Sequence, residues 1–415
     1  MSPSATWPTI WPQTWGDSME EAQRSVFQGI VYYYRENQVL CRYQITLNDT
    51  VDHTLLQRAL DAVRPLAGYY FQKVVWEKRE CHLEPNDAPC FVRQSSTQPV
   101  IPDETNDYQF ALSCEGDTIY LDWFHFLADG RGGSPFMTLL VKEYCNLRYG
   151  EHFACEKLVE VSPFDVDEIL AQYPESQVEN DMQKSVVEMF EGEPDRARVR
   201  LDKQSLVELA LKNKVKPFSA LTALLSKATR DYLGKDTIQY SYAADLRDAI
   251  GKEGALYNCI ASFQRPLVVA DDSSFADYAP KVDADIRETL KPENRRFRMA
   301  EQMGWVYRVY QQKAPLKIKK RIYQMGEYIS GFPADFWVSY LGDPFLPADE
   351  KLEGYIKDFQ TWVLPDGASI GLEAMTLHGV ITLCIENKAK KPGYAAAVRK
   401  ALEAEGVKVL EAVEL

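Results

Sequence analysis

The stretch Tyr120–Pro135, YLDWFHFLADGRGGSP, decides how the rest of the chain is read. Alternation along a strand puts Ile119, Leu121, Trp123 and His125 on one face, with Tyr120, Asp122, Phe124 and Phe126 on the other. Three large hydrophobes share the side of His125, so its imidazole is expected to be buried and, being buried, neutral. Asp129-Gly130 signals a turn, and Gly130, Gly132 and Gly133 permit backbone angles that other residues resist. Ser134-Pro135 reads as N-cap and first residue of a helix, FMTLLVKEYCNLRY, that Gly150 stops. A histidine at such a strand–loop–helix corner lies near free backbone N–H groups and the helix dipole. Two readings fit: a satisfied core histidine beside an ordinary glycine turn, or a neutral base at a small-molecule site.

Upstream, a strand over Val39–Thr50 precedes a helix with Leu55, Leu56, Leu60 and Val63 at helical spacing. Short strands follow at Phe71–Trp76, Cys90–Arg93 and Tyr108–Ser113, and Glu115–Asp117 forms the hairpin turn into the histidine strand. Residues 151 to about 196 are acidic and poorly periodic, a crossover between two halves. The second half has strands at Thr237–Ala243 and Tyr257–Val269, then a long helical region, Phe275–Ile329, interrupted by Pro292 and Pro315. Strands near Phe336–Tyr340, Tyr355–Val363, Ile370–Thr376 and Val380–Glu386, a helix Tyr394–Glu405 and a strand Val407–Val413 close the chain. Mixed sheets under helical cover are expected, in an N-terminal domain over 1–165, a linker over 166–196 and a C-terminal domain over 197–415.

The 415 residues are 46% apolar and 26% charged, a globular composition with room for a large core. A formal net charge of -14 argues against nucleic acid or an anionic membrane as main partner. No apolar run spans a bilayer, and the N-terminus, with three Trp and three Pro in residues 1–21, reads as an irregular arm rather than a secretory signal. The eight cysteines show no CxxC spacing and read as reduced, buried hydrophobes of a cytoplasmic protein. HExxH and paired Cys/His clusters are absent, so no metal site is expected.

HFLADG, His125–Gly130, resembles the HxxxDG core of the chloramphenicol acetyltransferase-like superfamily, which includes peptide-synthetase condensation domains, plant BAHD acyltransferases and alcohol acetyltransferases. The likeness extends in order over most of the chain: AADLRDAIG (Ala243–Gly251) resembles the family's Asp-Leu-Arg segment, and YNCIASFQRPL (Tyr257–Leu267) the strand after it. Two features depart from the pattern. The first of the family's paired histidines is Phe124 here, and VSYLGDP (Val338–Pro344) stands where plant members have DFGWG, which favours the alcohol-acetyltransferase or condensation branches.

The resemblance implies two similar α/β domains, each a mixed sheet with helical cover, enclosing an active-site tunnel with His125 midway. It implies an acyltransferase without a permanent cofactor, using acyl-CoA as co-substrate and a small alcohol or amine as acceptor. His125 would be the general base, and Asp129 would pair with an arginine, for which Arg247 is the candidate, to hold the loop around Gly130. Asn258, Ser262 and the backbone N–H near Gly130 are candidates for stabilising the oxyanion. The basic run Lys313–Arg321, KAPLKIKKR, offers Lys317, Lys320 and Arg321 to coenzyme A phosphates or an acidic carrier protein, and otherwise reads as a solvated helix face. A free-standing condensation catalyst fed by acyl-carrier protein, and a silent member binding a carrier or metabolite, are the alternatives.

Overall fold

The computed structural model describes residues 29–35, 38–164, 168, 193–270, 273–330, 334–345, 349–364, 368–389 and 391–415. The N-terminal arm and most of the crossover segment lie outside these residues.

Residues 29–34 are helical. They precede strand β1 (Leu40–Leu47) and helix α1 (His53–Val63), the latter capped by the Asp52 carboxylate on Leu55 N at 3.0 Å. Strands β2 (Gln72–Trp76) and β3 (Cys81–Pro85) form a hairpin of their own, whose second strand the sequence reading missed. Strands β4 (Val92–Arg93), β5 (Phe110–Glu115) and β6 (Thr118–Phe124) follow, then helix α2 (Gly130–Tyr149). The second half runs β7 (Asp195–Asp202), α3 (Lys203–Lys212), α4 (Pro217–Leu233), β8 (Thr237–Asp245) and β9 (Ile260–Val268). The long helical region is three helices, α5 (Phe275–Thr289), α6 (Pro292–Tyr310) and α7 (Leu316–Ser330), broken just before Pro292 and beside Pro315, where the ring cannot continue a helix. Strand β10 (Ala334–Gly342), the turn α8 (Glu350–Glu353), strands β11 (Ile356–Val363), β12 (Ala368–Leu377) and β13 (Val380–Asn387), helix α9 (Tyr394–Ala404) and β14 (Val409–Glu414) complete the chain.

The first sheet has five strands in the order β11-β1-β6-β5-β4, and the second has seven, β14-β7-β13-β12-β10-β8-β9. Both mix parallel and antiparallel pairs. Strand β11 leaves the second half of the chain to pair antiparallel with β1, an exchange that a division into consecutive halves does not contain. The second sheet's residues Val199, Leu201, Ile370, Leu372, Leu383 and Ile385 are wholly buried. Its opposite face looks toward the first sheet: Arg198 and Arg200 reach the Asp358 carboxylate of β11 at 3.7 and 3.8 Å, and Leu341 lies against Gly130. All eight cysteines are free thiols, and no helix among the described residues is long and apolar enough to cross a membrane.

Candidate active site

Strand β6 is the central strand of the first sheet, hydrogen-bonded to β1 and β5 on either side. It ends at Phe124, and His125 starts the loop, its amide held by the Val39 carbonyl at 2.9 Å. His125 is 7% exposed, and its imidazole lies face to face with Tyr32, centroids 4.0 Å apart and planes 18° apart. Gly29 permits this approach: a Cβ there would sit 1.9 Å from the Phe126 carbonyl oxygen. Burial lowers the imidazole pKa from 6.5 to about 4, outweighing the opposing pull of its own main chain and of Asp129. The ring is therefore neutral across the physiological range, and Nδ1 has no hydrogen-bond partner among the described residues.

The loop is held by charge rather than by glycine torsions. None of Gly130, Gly132 and Gly133 has a positive φ, contrary to expectation. They are small because space is short: a Cβ on Gly132 would lie 2.1 Å from the Leu256 carbonyl oxygen, and one on Gly130 would lie 2.8 Å from Leu341 Cδ2. Helix α2 also begins earlier than Ser134. Its N-cap is Asp129, whose carboxylate accepts from Gly132 N at 2.7 Å, so Ser134 and Pro135 lie within the helix. Gly132→Ala is expected to cost about 1–3 kcal/mol, because a backbone carbonyl must give way. Urea unfolding of the two proteins measures that loss.

The Asp129 carboxylate also accepts from Cys259 N at 2.7 Å and from Arg247 Nη2 at 2.9 and 3.2 Å. Arg247 in turn donates to the carbonyls of Ala255 and Tyr257 and to Asp245 Oδ1, at 2.8, 2.9 and 3.0 Å. Asp129 and Arg247 are 1% and 3% exposed, so this is a buried ion pair in which every side-chain nitrogen and carboxylate oxygen has a hydrogen-bond partner. Burial alone disfavours the guanidinium charge, but the Asp129 carboxylate more than compensates and raises the Arg247 pKa.

Asn258 and Ser262 part company. The Asn258 amide donates to the carbonyls of His125 and Phe126 at 2.8 and 3.3 Å, so its N–H groups are spent on shaping the histidine loop. Ser262 is exposed on β9, its carbonyl taken by Arg298 at 2.9 Å, with no described contact to the histidine loop.

The basic run forms the start of α7. Lys317 and Arg321 face solvent, and Lys320 lies over the ring of Tyr33, 5.1 Å from its centroid. Lys319 faces inward, donating to the carbonyls of Arg79 and Tyr310, and burial lowers its pKa to about 8. From Lys320 an aromatic shelf leads toward the loop, with Tyr33 and Trp76 centroids 4.2 Å apart and Trp76 and Phe126 6.2 Å apart.

Among the described residues, one face of the His125 ring is covered by Tyr32. One cavity of about 310 Å³ lies between Lys216–Ser219 and residues 286–291, and another of about 110 Å³ between Tyr69, Gln72, Leu83, Leu256 and Tyr257. Neither is lined by His125, which Tyr32 roofs. The sequence reading missed Tyr32, whose only signal is the tyrosine run Tyr32–Tyr34. No group of residues suited to hold a metal ion occurs among the described residues.

No protein-family model and no curated protein matches the sequence. Solved structures do match. The first condensation domain of the CDA synthetase superposes with a TM-score of 0.63 at 13% identity, covering 92% of this chain and 98% of that one. TRI101 of F. sporotrichioides, solved with coenzyme A and T-2, gives 0.61 at 13% identity over 90% and 96%. Polyketide synthase associated protein 5 from Mycobacterium tuberculosis gives 0.61 at 15% identity over 91% and 97%. The chain thus adopts the α/β fold of the first condensation domain of the CDA synthetase and of TRI101, the fold that its HxxxDG segment led us to expect.

Proposed function

We propose that the protein is an acyltransferase that moves an acyl group from a CoA thioester to a hydroxyl or amine acceptor, with His125 as general base. The observation that carries this reading is the buried imidazole at the start of the HxxxDG loop, kept neutral by its burial, on a main chain fixed by Asn258 and by the buried Asp129–Arg247 pair. Such a ring takes the acceptor's proton as the acceptor oxygen or nitrogen bonds to the thioester carbonyl carbon. The C–S bond then breaks, and the imidazolium returns its proton to the departing thiolate. No acyl-enzyme is needed. With the Asn258 amide occupied, oxyanion stabilisation falls to the main-chain N–H groups that open α2 at Gly130 and Arg131, with the helix dipole behind them. Asp129 and Arg247 are positioning residues. For substrates to reach the base, the Tyr32 ring swings away.

The phosphates of the donor meet Lys317, Lys320 and Arg321, and the aromatic shelf of Tyr33 and Trp76 guides the thioester arm. Replacing the three cations by alanine is expected to raise KM for acyl-CoA by roughly tenfold while kcat stays within about twofold, as loss of uniform binding requires. Steady-state kinetics at low and high salt check this, and the difference shrinks as salt rises.

The likeness to a condensation domain supports a second reading, an amide-forming catalyst fed by a carrier-bound thioester. One assay separates the two. Thiol release from acetyl- and longer acyl-CoA is followed with a panel of alcohols and amines, alongside the same acyl groups on acyl-carrier protein. Release from acyl-CoA supports the first reading, and release from the carrier alone supports the second. No release from either, together with tight carrier binding, identifies a silent carrier-binding protein.

A further inference from the structure

The face of the second sheet that looks toward the first carries a carboxyl group the mechanism does not use. Glu373 of β12 stands beside Ser339 of β10 and Cys384 of β13 in register. Along β10, Trp337, Ser339 and Leu341 alternate onto this face and are each part-exposed, and Leu341 touches the start of α2 at Gly130. These residues therefore line the cleft between the sheets on the side of the histidine loop. Glu373 is itself 7% exposed, yet its Oε2 has no hydrogen-bond partner among the described residues, nor has Nε1 of Trp337. Buried polar atoms are rarely left without partners, because each costs about 1–3 kcal/mol.

We propose that Glu373 and Trp337 form the acceptor subsite, and that it selects an acceptor carrying a primary ammonium group on an apolar or aromatic body. The proposal rests on the acyltransferase reading for the word acceptor. The binding chemistry stands on the cleft alone. The ammonium donates to the orphaned Glu373 oxygen, the apolar body lies along Trp337 and Leu341, and the group that attacks the thioester is a second hydroxyl or amine on the same molecule. Arg198, in register with Cys384, and Arg200 share this face, but their guanidinium groups are turned to the carboxylates of Glu411 and Asp358, and the groups next to Glu373 leave room for a cation. Glu386 of β13 is another carboxyl, with its own Oε2 unpartnered and its Oε1 bound by Arg196 of β7 at 2.9 Å. Cys384 and, from β1, Cys41 and Tyr43 are uncharged neighbours whose thiol and hydroxyl groups burial keeps protonated. Burial pushes the Glu373 carboxyl up to about 8 against the pull of the Ser339 hydroxyl, with Glu386 adding to the rise, so the free protein holds it largely protonated at neutral pH. An arriving ammonium displaces that proton to solvent, and one positive charge replaces another.

The test is calorimetric and needs no acyl donor. Phenethylamine and 2-phenylethanol, alike in shape but not in charge, are titrated into the wild-type protein and into Glu373→Gln near neutral pH, in two buffers of different ionisation enthalpy. The wild type is expected to prefer the amine by about tenfold or more, the range of a hydrogen bond to a charged group. Proton release is expected to accompany amine binding, and both the preference and the release are expected to vanish in Glu373→Gln. Trp337→Phe, which keeps an aromatic ring but loses the indole N–H and part of its surface, is expected to weaken both ligands while sparing the proton release. Equal affinity for the two ligands in the wild type, or an undiminished preference in Glu373→Gln, overturns the proposal. A protein that binds the amine as predicted but releases no thiol from any donor keeps the subsite and loses the transferase reading.

Discussion

Replacing His125 by alanine is expected to lower kcat/KM for thiol release from acyl-CoA by roughly 10²–10⁴-fold, the range that general-base assistance supplies. The loss falls on kcat, because the imidazole acts on a proton that moves only in the transition state. The surrounding loop should survive the change, since its main chain is held independently of the ring. The Val39 carbonyl takes the His125 amide, and the Asn258 amide takes the His125 and Phe126 carbonyls. Circular dichroism at matched temperature confirms that the variant is folded. A residual rate above that of the uncatalysed reaction is expected, from alignment of donor and acceptor.

Arg247→Ala is expected to destabilise the protein by about 3–5 kcal/mol, read from the urea midpoint, because it strands a buried carboxylate. Asp129 then keeps only the N–H groups of Gly132 and Cys259, and the carbonyls of Ala255 and Tyr257 lose their donor. Arg247→Lys restores the charge but not the fork that serves Ala255, Asp245, Tyr257 and Asp129 together, so it recovers the smaller part of the loss. Adding Asp129→Asn to Arg247→Ala removes the stranded charge while leaving an oxygen to cap α2, and the double variant is expected to be more stable than Arg247→Ala alone. A loss within about 1 kcal/mol for Arg247→Ala, the scale of an exposed pair, contradicts the account of the loop.

The corner around His125 was legible because strong local signals agree there. The apolar alternation of β6 places the histidine at the strand end, and Gly150 takes the left-handed angle, φ 69, that ends α2. The start of α2 was misread because two capping signals lie five residues apart in sequence, at Asp129 and Ser134. The choice between them is made by the Asp129 carboxylate, which Arg247 and Cys259 fix from the other half of the chain. Breaks in the helical region near Pro292 and Pro315 were readable from the ring's missing N–H. The Tyr32 roof, the Asn258 amide on the histidine loop and the passage of β11 into the first sheet are long-range contacts, and local pattern carries no record of such pairings. Glu373 had one visible mark, as the single charged residue of the run ASIGLEAMTL, whose meaning depends on which face of β12 meets the cleft.

An uncharged imidazole that accepts a proton reveals itself in the acid limb of the rate profile. With an alcohol acceptor, whose own ionisation stays out of range, kcat/KM for thiol release is measured from acid to neutral pH. A base is active above its pKa, so a ring lowered from 6.5 to about 4 stays competent in mildly acid solution, where an ordinary imidazole is mostly protonated. The rate is expected to stay near its plateau down to about pH 5.5 and to fall only below that. A fall centred near 6.5, or a profile unchanged in His125→Ala, contradicts it.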